Sequence, residues 1–142
     1  MHARTAEHPL SADTDLRFSA VLMARAQDAK RKTERTRNRL LASLADHLAD
    51  GTDRRELKVA AVTAAADLAH GTFYRYFDDI RAATDALIED FALYLRATLS
   101  TQRGGEPGSR ERVRGTSLVY ARLFADNAAL MKCLFDMGSE ST

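Results

Sequence analysis

The chain has 142 residues, which is enough for one domain with a hydrophobic core and a small second lobe. Its composition, 45% apolar and 29% charged, excludes a disordered or fibrous protein, and its net charge of +1 excludes a polyanion binder that works by bulk charge. The single cysteine, Cys133, excludes an intramolecular disulfide framework, and no apolar run approaches the roughly 20 residues of a membrane span, so we expect a soluble, cytoplasmic protein with no membrane partner.

The N-terminal part of the chain divides into an arm, a helix and a basic segment. Residues 1–17 show no apolar periodicity, which predicts a disordered arm. Phe18–Ala29 carries apolar residues at three- and four-residue spacing, so 18–32 is predicted to be an extra helix followed by a basic linker. Arg25–Arg39 contains seven basic and two acidic residues, a local charge of +5. Basicity is therefore concentrated just before the next structured segment.

Residues 33–79 are predicted to form one helical unit. Leu40, Leu44 and Leu48 lie on one face of a helix that ends at Gly51. Two short helices follow, and a three-residue turn separates them. Such a pair is typical of a helix-turn-helix, whose second helix enters the major groove of DNA. The two helices are predicted at Val59–Ala66 and His70–Phe77.

Residues 80–142 are predicted to form a second, partial helical region. Asp78 and Asp79 favour the start of a helix from Ile80 to about Ser100, because carboxylates stabilise a helix N-terminus. Thr101–Ser109 is rich in glycine and polar residues and is predicted to be a linker. No run has the character of a strand, so the predicted fold class is all-α. The remaining predicted helices are Arg110–Asp126 and Ala128–Met137, joined at Asn127.

The segment VAAVTAAADLAHGTFYRYF at residues 59–77 resembles the DNA-binding domain of TetR-type transcriptional regulators. The resemblance covers residues 33–100 well and 109–137 loosely. It implies a three-helix DNA-binding domain followed by a helical ligand and dimerisation domain, which is shortened in this chain. The residues that match the signature of the recognition helix are Gly71, Thr72, Phe73, Tyr74, Tyr76 and Phe77.

The chemistry of the second short helix is compatible with DNA contact. Tyr74 and Tyr76 can each lay a ring against sugar or a thymine methyl group and donate a hydroxyl to phosphate, whereas Phe73 and Phe77 are expected to face inward. Gly71 permits close approach to the duplex. Lys58 adds a charge that can face phosphate, and His70 and Arg75 have the reach for groove contacts. The candidate DNA-binding residues are Lys58, His70, Gly71, Thr72, Tyr74, Arg75 and Tyr76.

Several features have two interpretations at this stage. The basic run Lys30–Arg39 either contacts phosphate or forms a solvated helix face. His70 either contacts a base or faces solvent. Tyr94, Tyr120 and Phe124 either line a ligand cavity or form plain core, and we favour core.

The shortened C-terminal region suggests how the chain associates. The apolar faces on Leu87, Phe91 and Leu95 and on Leu130 and Leu134 are expected to lack cover, and together with the N-terminal helix to form a substitute dimer contact.

The function expected from these patterns is that of a sequence-specific regulator, a repressor, that binds double-stranded DNA as a dimer. The resemblance also implies a possible small-molecule effector, of unknown identity. No metal, cofactor or catalytic set is expected, because the four histidines are scattered along the chain. The alternative is a regulator-derived interaction protein that pairs with a full-length relative and binds DNA weakly. Four departures from the family pattern motivate it: Lys58, Asp67, Ala69 and Ile80.

Overall fold

The computed structural model describes residues 15–100 and 108–140, and every regular element in these ranges is helical, which confirms the predicted all-α class. None of these helices is long and apolar enough to cross a membrane. In chain order they are α1 (Phe18–Asp28), α2 (Lys32–Ala49), α3 (Val59–Ala65), a 3-10 helix (His70–Arg75), α4 (Ile80–Ser100), α5 (Arg110–Asp126) and α6 (Ala128–Glu140).

Helix α2 is the centre of the hydrophobic core. Its residues Leu40, Leu41 and Leu44 are fully buried, and each such leucine contributes about 1.5–3 kcal/mol of transfer free energy. Around them pack side chains from α1, α3, the 3-10 helix, α4 and α6, so one cluster joins most of the described elements. The leucine face predicted from the sequence therefore becomes the surface on which the two short helices are mounted.

Helix α2 begins at Lys32, well before its first leucine. Lysine, arginine and glutamate have high helix propensities, and Glu34 lies in the first turn, where its charge favours the helix dipole. Most of the basic run is consequently helical.

The C-terminus of α2 is closed by glycine, as predicted. Gly51 has a φ of +93°, and its N–H donates to the carbonyl of Leu48 at 3.1 Å. The N–H of Thr52 donates to the carbonyl of His47 at 3.2 Å. These two bonds form a Schellman motif, which satisfies the last carbonyls of the helix.

Helix α1 covers the apolar face of α4. The buried ring of Phe18 has its centroid 5.4 Å from that of Phe91 and 5.2 Å from that of Tyr94. Leu87 and Phe91 are fully buried and Leu130 is almost so. The expectation that these faces lack cover was wrong for Leu87, Phe91 and Leu130, whereas Leu95 and Leu134 are partly buried. Phe18 of the extra N-terminal helix packs against α4, and α6 packs against α2 and α4.

The amide of Asn127 fastens the chain entering α1 to the junction of α5 and α6. The N–H of Phe18 donates to Oδ1 of Asn127 at 2.7 Å, and Nδ2 donates to the carbonyls of Leu16 and Leu123 at 2.8 and 3.0 Å. The N–H of Leu16 donates to a carboxylate oxygen of Asp126 at 3.2 Å. Every polar atom of this buried amide therefore has a partner, which is what burial of a polar group requires.

Leu16 belongs to the segment that the sequence analysis assigned to the N-terminal arm. Its buried side chain packs with Val119 and Leu123 of α5 in a small second cluster. Residues 1–14, the rest of that arm, lie outside the described residues.

The starts of α4 and α5 are capped by side chains. Oδ1 of Asp79 accepts the N–H of Ala82 at 2.8 Å, as the sequence suggested for this acidic pair. Oγ of Ser109 accepts the N–H of Arg112 at 3.1 Å. Most of the predicted linker before α5, residues 101–107, lies outside the described residues.

Two aromatic residues of α5 do not join the core. Tyr120 and Phe124 are 46% and 42% exposed, whereas Tyr94 of α4 is partly buried against Phe18. The favoured assignment of all three to the core was thus wrong for Tyr120 and Phe124. Helix α5 buries only Val119 and Leu123, so its outer face remains in solvent.

We expect Asn127→Ala to lower the free energy of unfolding by about 2–4 kcal/mol, because it leaves the buried N–H of Phe18 and carbonyl of Leu16 unpaired. Urea denaturation followed by circular dichroism measures this change. Gln27→Ala, on the exposed side of α1, is the control and should change stability by less than about 0.5 kcal/mol. Equal stability of the two variants would show that the amide is not needed to hold α1.

Candidate nucleic-acid interface

Helix α3 presents alanines to solvent and anchors its other side in the core. Val62 is fully buried, and Oγ of Ser43 on α2 donates to the Val62 carbonyl at 2.8 Å. The helix starts after Lys58, which provides no side-chain cap but lies exposed at the first turn. Ala60, Ala61 and Ala64 are exposed. Because alanine side chains are short, another molecule can approach the backbone of this face of α3 closely.

The turn after α3 depends on a left-handed residue. Asp67 has a φ of +58°, a conformation that aspartate tolerates better than most residues. The N–H of Leu68 donates to the carbonyl of Thr63 at 2.9 Å, and the N–H of Asp67 donates to that of Ala64 at 3.1 Å. Asp67 therefore fulfils the role that glycine usually has in a Schellman motif.

The second short helix is a 3-10 helix over His70–Arg75, shorter than the segment His70–Phe77 that we predicted. Ala69 gives it no side-chain cap, so the helix lacks the stabilisation that serine would supply. Phe73 is fully buried and its ring lies 5.6 Å from that of Phe77, also buried. The inward orientation of these two phenylalanines is confirmed.

The two tyrosines of this segment do not share one environment. Tyr74 is 55% exposed, whereas Tyr76 is partly buried and packs against the main core. Tyr76 directly follows the 3-10 helix and lies three positions after the buried Phe73, so its ring turns towards the core on the same side as Phe73. The candidate residues on the solvent side of this helix are His70, Gly71, Tyr74 and Arg75, and Thr72 is half-buried.

Three of the candidate residues line one open groove of about 570 Å³: Lys58, His70 and Tyr74. The rings of His70 and Tyr74 meet edge to face, with centroids 5.9 Å apart. Gly71, Thr72, Arg75 and Tyr76 are not among the residues that line the groove.

Three arginines that the sequence analysis did not select also line this groove. Arg54 and Arg55 come from the loop after α2, and Arg81 comes from the first turn of α4. With Lys58 they place four cationic side chains around one groove, whose one lining carboxylate is that of Asp79. Arg55 also pairs with Asp53 at 3.4 Å. Arg54 and Arg55 lie four and three residues before Lys58, so the sequence could have indicated them as part of the same basic surface. The contribution of Arg81 depends on how α4 packs and could not be read from the sequence.

The basic run before Leu40 is divided between the fold and the surface. Nη1 of Arg37 lies 3.0 Å from Oδ2 of Asp90 on α4, and its guanidinium lies over the ring of Phe77 at 5.8 Å. The guanidinium of Arg39 donates to the carbonyl of Ala66 at the end of α3. Both side chains therefore hold the short helices in place. The exposed basic residues of the run are Lys30, Arg31, Lys32 and Arg35.

Gly71 is not required by the fold of the chain itself. A Cβ added there would meet no atom within 4 Å, and its φ is not positive. The open space in front of Gly71 is thus available to another molecule.

The described ranges contain no group of three or more histidine, cysteine, aspartate or glutamate side chains placed to hold a metal ion. Comparison with protein-family models, with curated proteins and with solved structures finds no match to this chain.

We expect Gly71→Ala to raise the free energy of unfolding by about 0.4–1 kcal/mol, because alanine reduces the entropy of the unfolded chain at no steric cost in the fold. Gly51→Ala is the matched control. It also meets no atom, but its φ of +93° should make alanine cost roughly 1–2 kcal/mol. Thermal unfolding of both variants measures the difference, and destabilisation by Gly71→Ala would show that the fold itself needs this glycine.

Proposed function

We propose that this protein is a sequence-specific transcriptional regulator of the TetR type, a cytoplasmic repressor that binds double-stranded DNA. Its recognition element is the 3-10 helix His70–Arg75, placed in the major groove. The proposal rests chiefly on one observation: a short helix anchored by the buried Phe73 exposes Tyr74 beside a groove with four cationic side chains. A buried anchor beneath exposed polar and aromatic groups suits a surface that must hold its shape against a partner.

The chemistry of this surface fits a duplex. Arginine and lysine neutralise phosphates, and these contacts set the position of a protein on DNA. Tyr74 offers an exposed ring and a hydroxyl, and the missing side chain at Gly71 allows the backbone to come close to the duplex. Arg75 and His70 are the groups that can reach base edges. Thr72 and Tyr76 can donate hydroxyls to phosphates at the border of the contact.

Selection of bound duplexes from a random pool, at low and at physiological salt, tests the proposal. A common sequence should be enriched at both salt concentrations. Tyr74→Ala should then bind the selected site at least about tenfold more weakly, since a good contact is worth about 1–3 kcal/mol. Gly71→Ala, which we expect to fold normally, should also lose affinity. If both variants bind like the parent, the recognition helix is wrongly assigned.

The groove can be tested separately from the recognition helix with two arginines of α4. Arg81→Ala should lower the slope of binding against salt concentration by about 0.9, the value for one phosphate contact. Arg96→Ala is the charge-matched control, because Arg96 is exposed on the same helix about 22 Å further along it. Equal slopes for the two variants would exclude the groove from the interface.

A second copy of the chain is the partner we propose for the outer face of α5. Val113, Tyr120 and Phe124 lie on one side of this helix, and Phe135 of α6 extends the surface, its ring 6.4 Å from that of Phe124. We call these four exposed residues the α5–α6 stripe. A dimer formed there would place two recognition helices on two half-sites, the arrangement that helix-turn-helix proteins use.

We expect light scattering to show a dimer at tens of micromolar, and Phe124→Asp to produce a monomer, because an aspartate pair would be desolvated in the contact. Leu93→Asp, on the exposed side of α4, is the control and should remain dimeric. A strictly monomeric parent would exclude the dimer. If that monomer also selects no DNA sequence, the alternative function is favoured, in which the stripe pairs with a longer regulator.

A further inference from the structure

A cavity of about 700 Å³ lies apart from the recognition helix. It lies between the loop 51–55 after α2 and one face of α6. The α6 residues that face it are spaced by three, one and three positions, as one side of a helix requires: Ala129, Lys132, Cys133 and Asp136. Cavities of this size hold organic molecules of ordinary metabolite or drug dimensions.

The inner part of the cavity is apolar. Leu48 is buried at the end of α2, and Ala129 and Cys133 are half-buried on α6. Burial raises the pKa of the Cys133 thiol, so that near neutral pH this side chain is an uncharged, polarisable group. The cavity thus offers apolar contact to the body of a ligand.

The outer part carries three cationic side chains, Arg54, Arg55 and Lys132, and two carboxylates. Arg55 pairs with Asp53 at 3.4 Å and Lys132 pairs with Asp136 at 3.3 Å. The backbone and side-chain hydrogen bonds from Arg55 hold the pKa of Asp53 below its usual value. Both pairs are exposed, and exposed pairs contribute little stability, so an incoming anion can displace the carboxylates.

We propose that this cavity binds a small organic anion, an aromatic carboxylate, whose ring lies against Leu48, Ala129 and Cys133 and whose charge meets Lys132 and Arg55. A neutral ligand would make no use of the cationic side chains, and a purely inorganic anion would leave the apolar part empty. The combination of the two surfaces is what selects the class of ligand.

The cavity and the DNA groove share two residues. Arg54 and Arg55 line both, because the loop 51–55 lies between them. A carboxylate bound in the cavity draws the guanidinium of Arg55 away from the groove, where phosphate would otherwise use it. The anion is therefore a negative regulator of DNA binding, and DNA lowers the affinity for the anion by the same factor. This coupling rests on the proposed function, whereas the anion site does not.

The site is tested first without DNA. Naphthalene-2-carboxylate is titrated into the ¹⁵N-labelled full chain to about 10 mM, a range that covers millimolar affinity. We expect the amide NMR chemical shifts of residues 51–55 and 129–136 to change until the site is saturated. Naphthalene-2-carboxamide, which has the ring without the charge, should bind at least about fivefold more weakly. Shifts confined to the α5–α6 stripe, or the absence of saturation, would overturn the site.

Two substitutions on one turn of α6 should change the affinity in opposite directions. Lys132→Ala removes a cation and should weaken the carboxylate about fivefold, whereas Asp136→Asn removes a competing carboxylate and should strengthen it. Both side chains are exposed, so both variants are expected to fold, and their spectra will show whether they do. Changes of the same sign would mean that charge at this place does not select the ligand.

The coupling is tested by measuring affinity for the selected duplex with and without saturating naphthalene-2-carboxylate. The carboxylate should weaken the parent about five- to tenfold, and at the same concentration should affect Lys132→Ala less. Arg81→Ala, outside the cavity, should bind the carboxylate like the parent. An anion that binds without changing DNA affinity would overturn the coupling. A parent that binds no DNA would overturn the proposed function, and the titration without DNA would still decide the anion site.

Discussion

The amide of Asn127 makes hydrogen bonds on which much of the remaining architecture depends. It binds the backbone of Leu16, Phe18 and Leu123 within one buried site, and so fixes the start of α1 to the junction of α5 and α6. With the backbone held there, the ring of Phe18 packs against Phe91 and Tyr94 of α4. An apolar contact alone would allow α1 to slide, because hydrophobic attraction has no direction, whereas three hydrogen bonds to one side chain specify a single position.

Helix α2 connects the fixed position of α1 to the candidate interface. Helix α1 makes its largest contact with α2, and α2 holds the short helices by the bonds from Arg39 and Ser43 to carbonyls of α3. Arg37 adds a link to α4. Two of the basic residues in the run therefore serve the fold, whereas the sequence left the run open between phosphate contact and a solvated helix face. The cations that line the groove come instead from the loop 51–55, from Lys58 before α3 and from the start of α4.

The local structure could be predicted from the sequence because its causes are local. Periodic leucines, Gly51 and the acidic cap at Asp79 each act within one or two turns, and the structure contains the expected helices around them. What the sequence could not show depends on distant partners: Phe18 covers the face of α4, and Arg81 reaches the groove through the packing of α4. We placed Tyr74 and Tyr76 on one outward face, but residues two apart do not share a face of a helix, and Tyr76 packs against the core.

Under the proposed function, the charge distribution favours specificity over general affinity for nucleic acid. The net charge of +1 gives little bulk attraction, and Asp79 places a carboxylate at the groove because it is needed to cap α4. A surface of this kind gains little from any duplex and must gain most from contacts that fit one sequence. Arg54 and Arg55, which line both the groove and the cavity, are therefore important for this attraction. Under the proposed function, moving Arg55 towards the cavity would remove one of the four cations that line the groove.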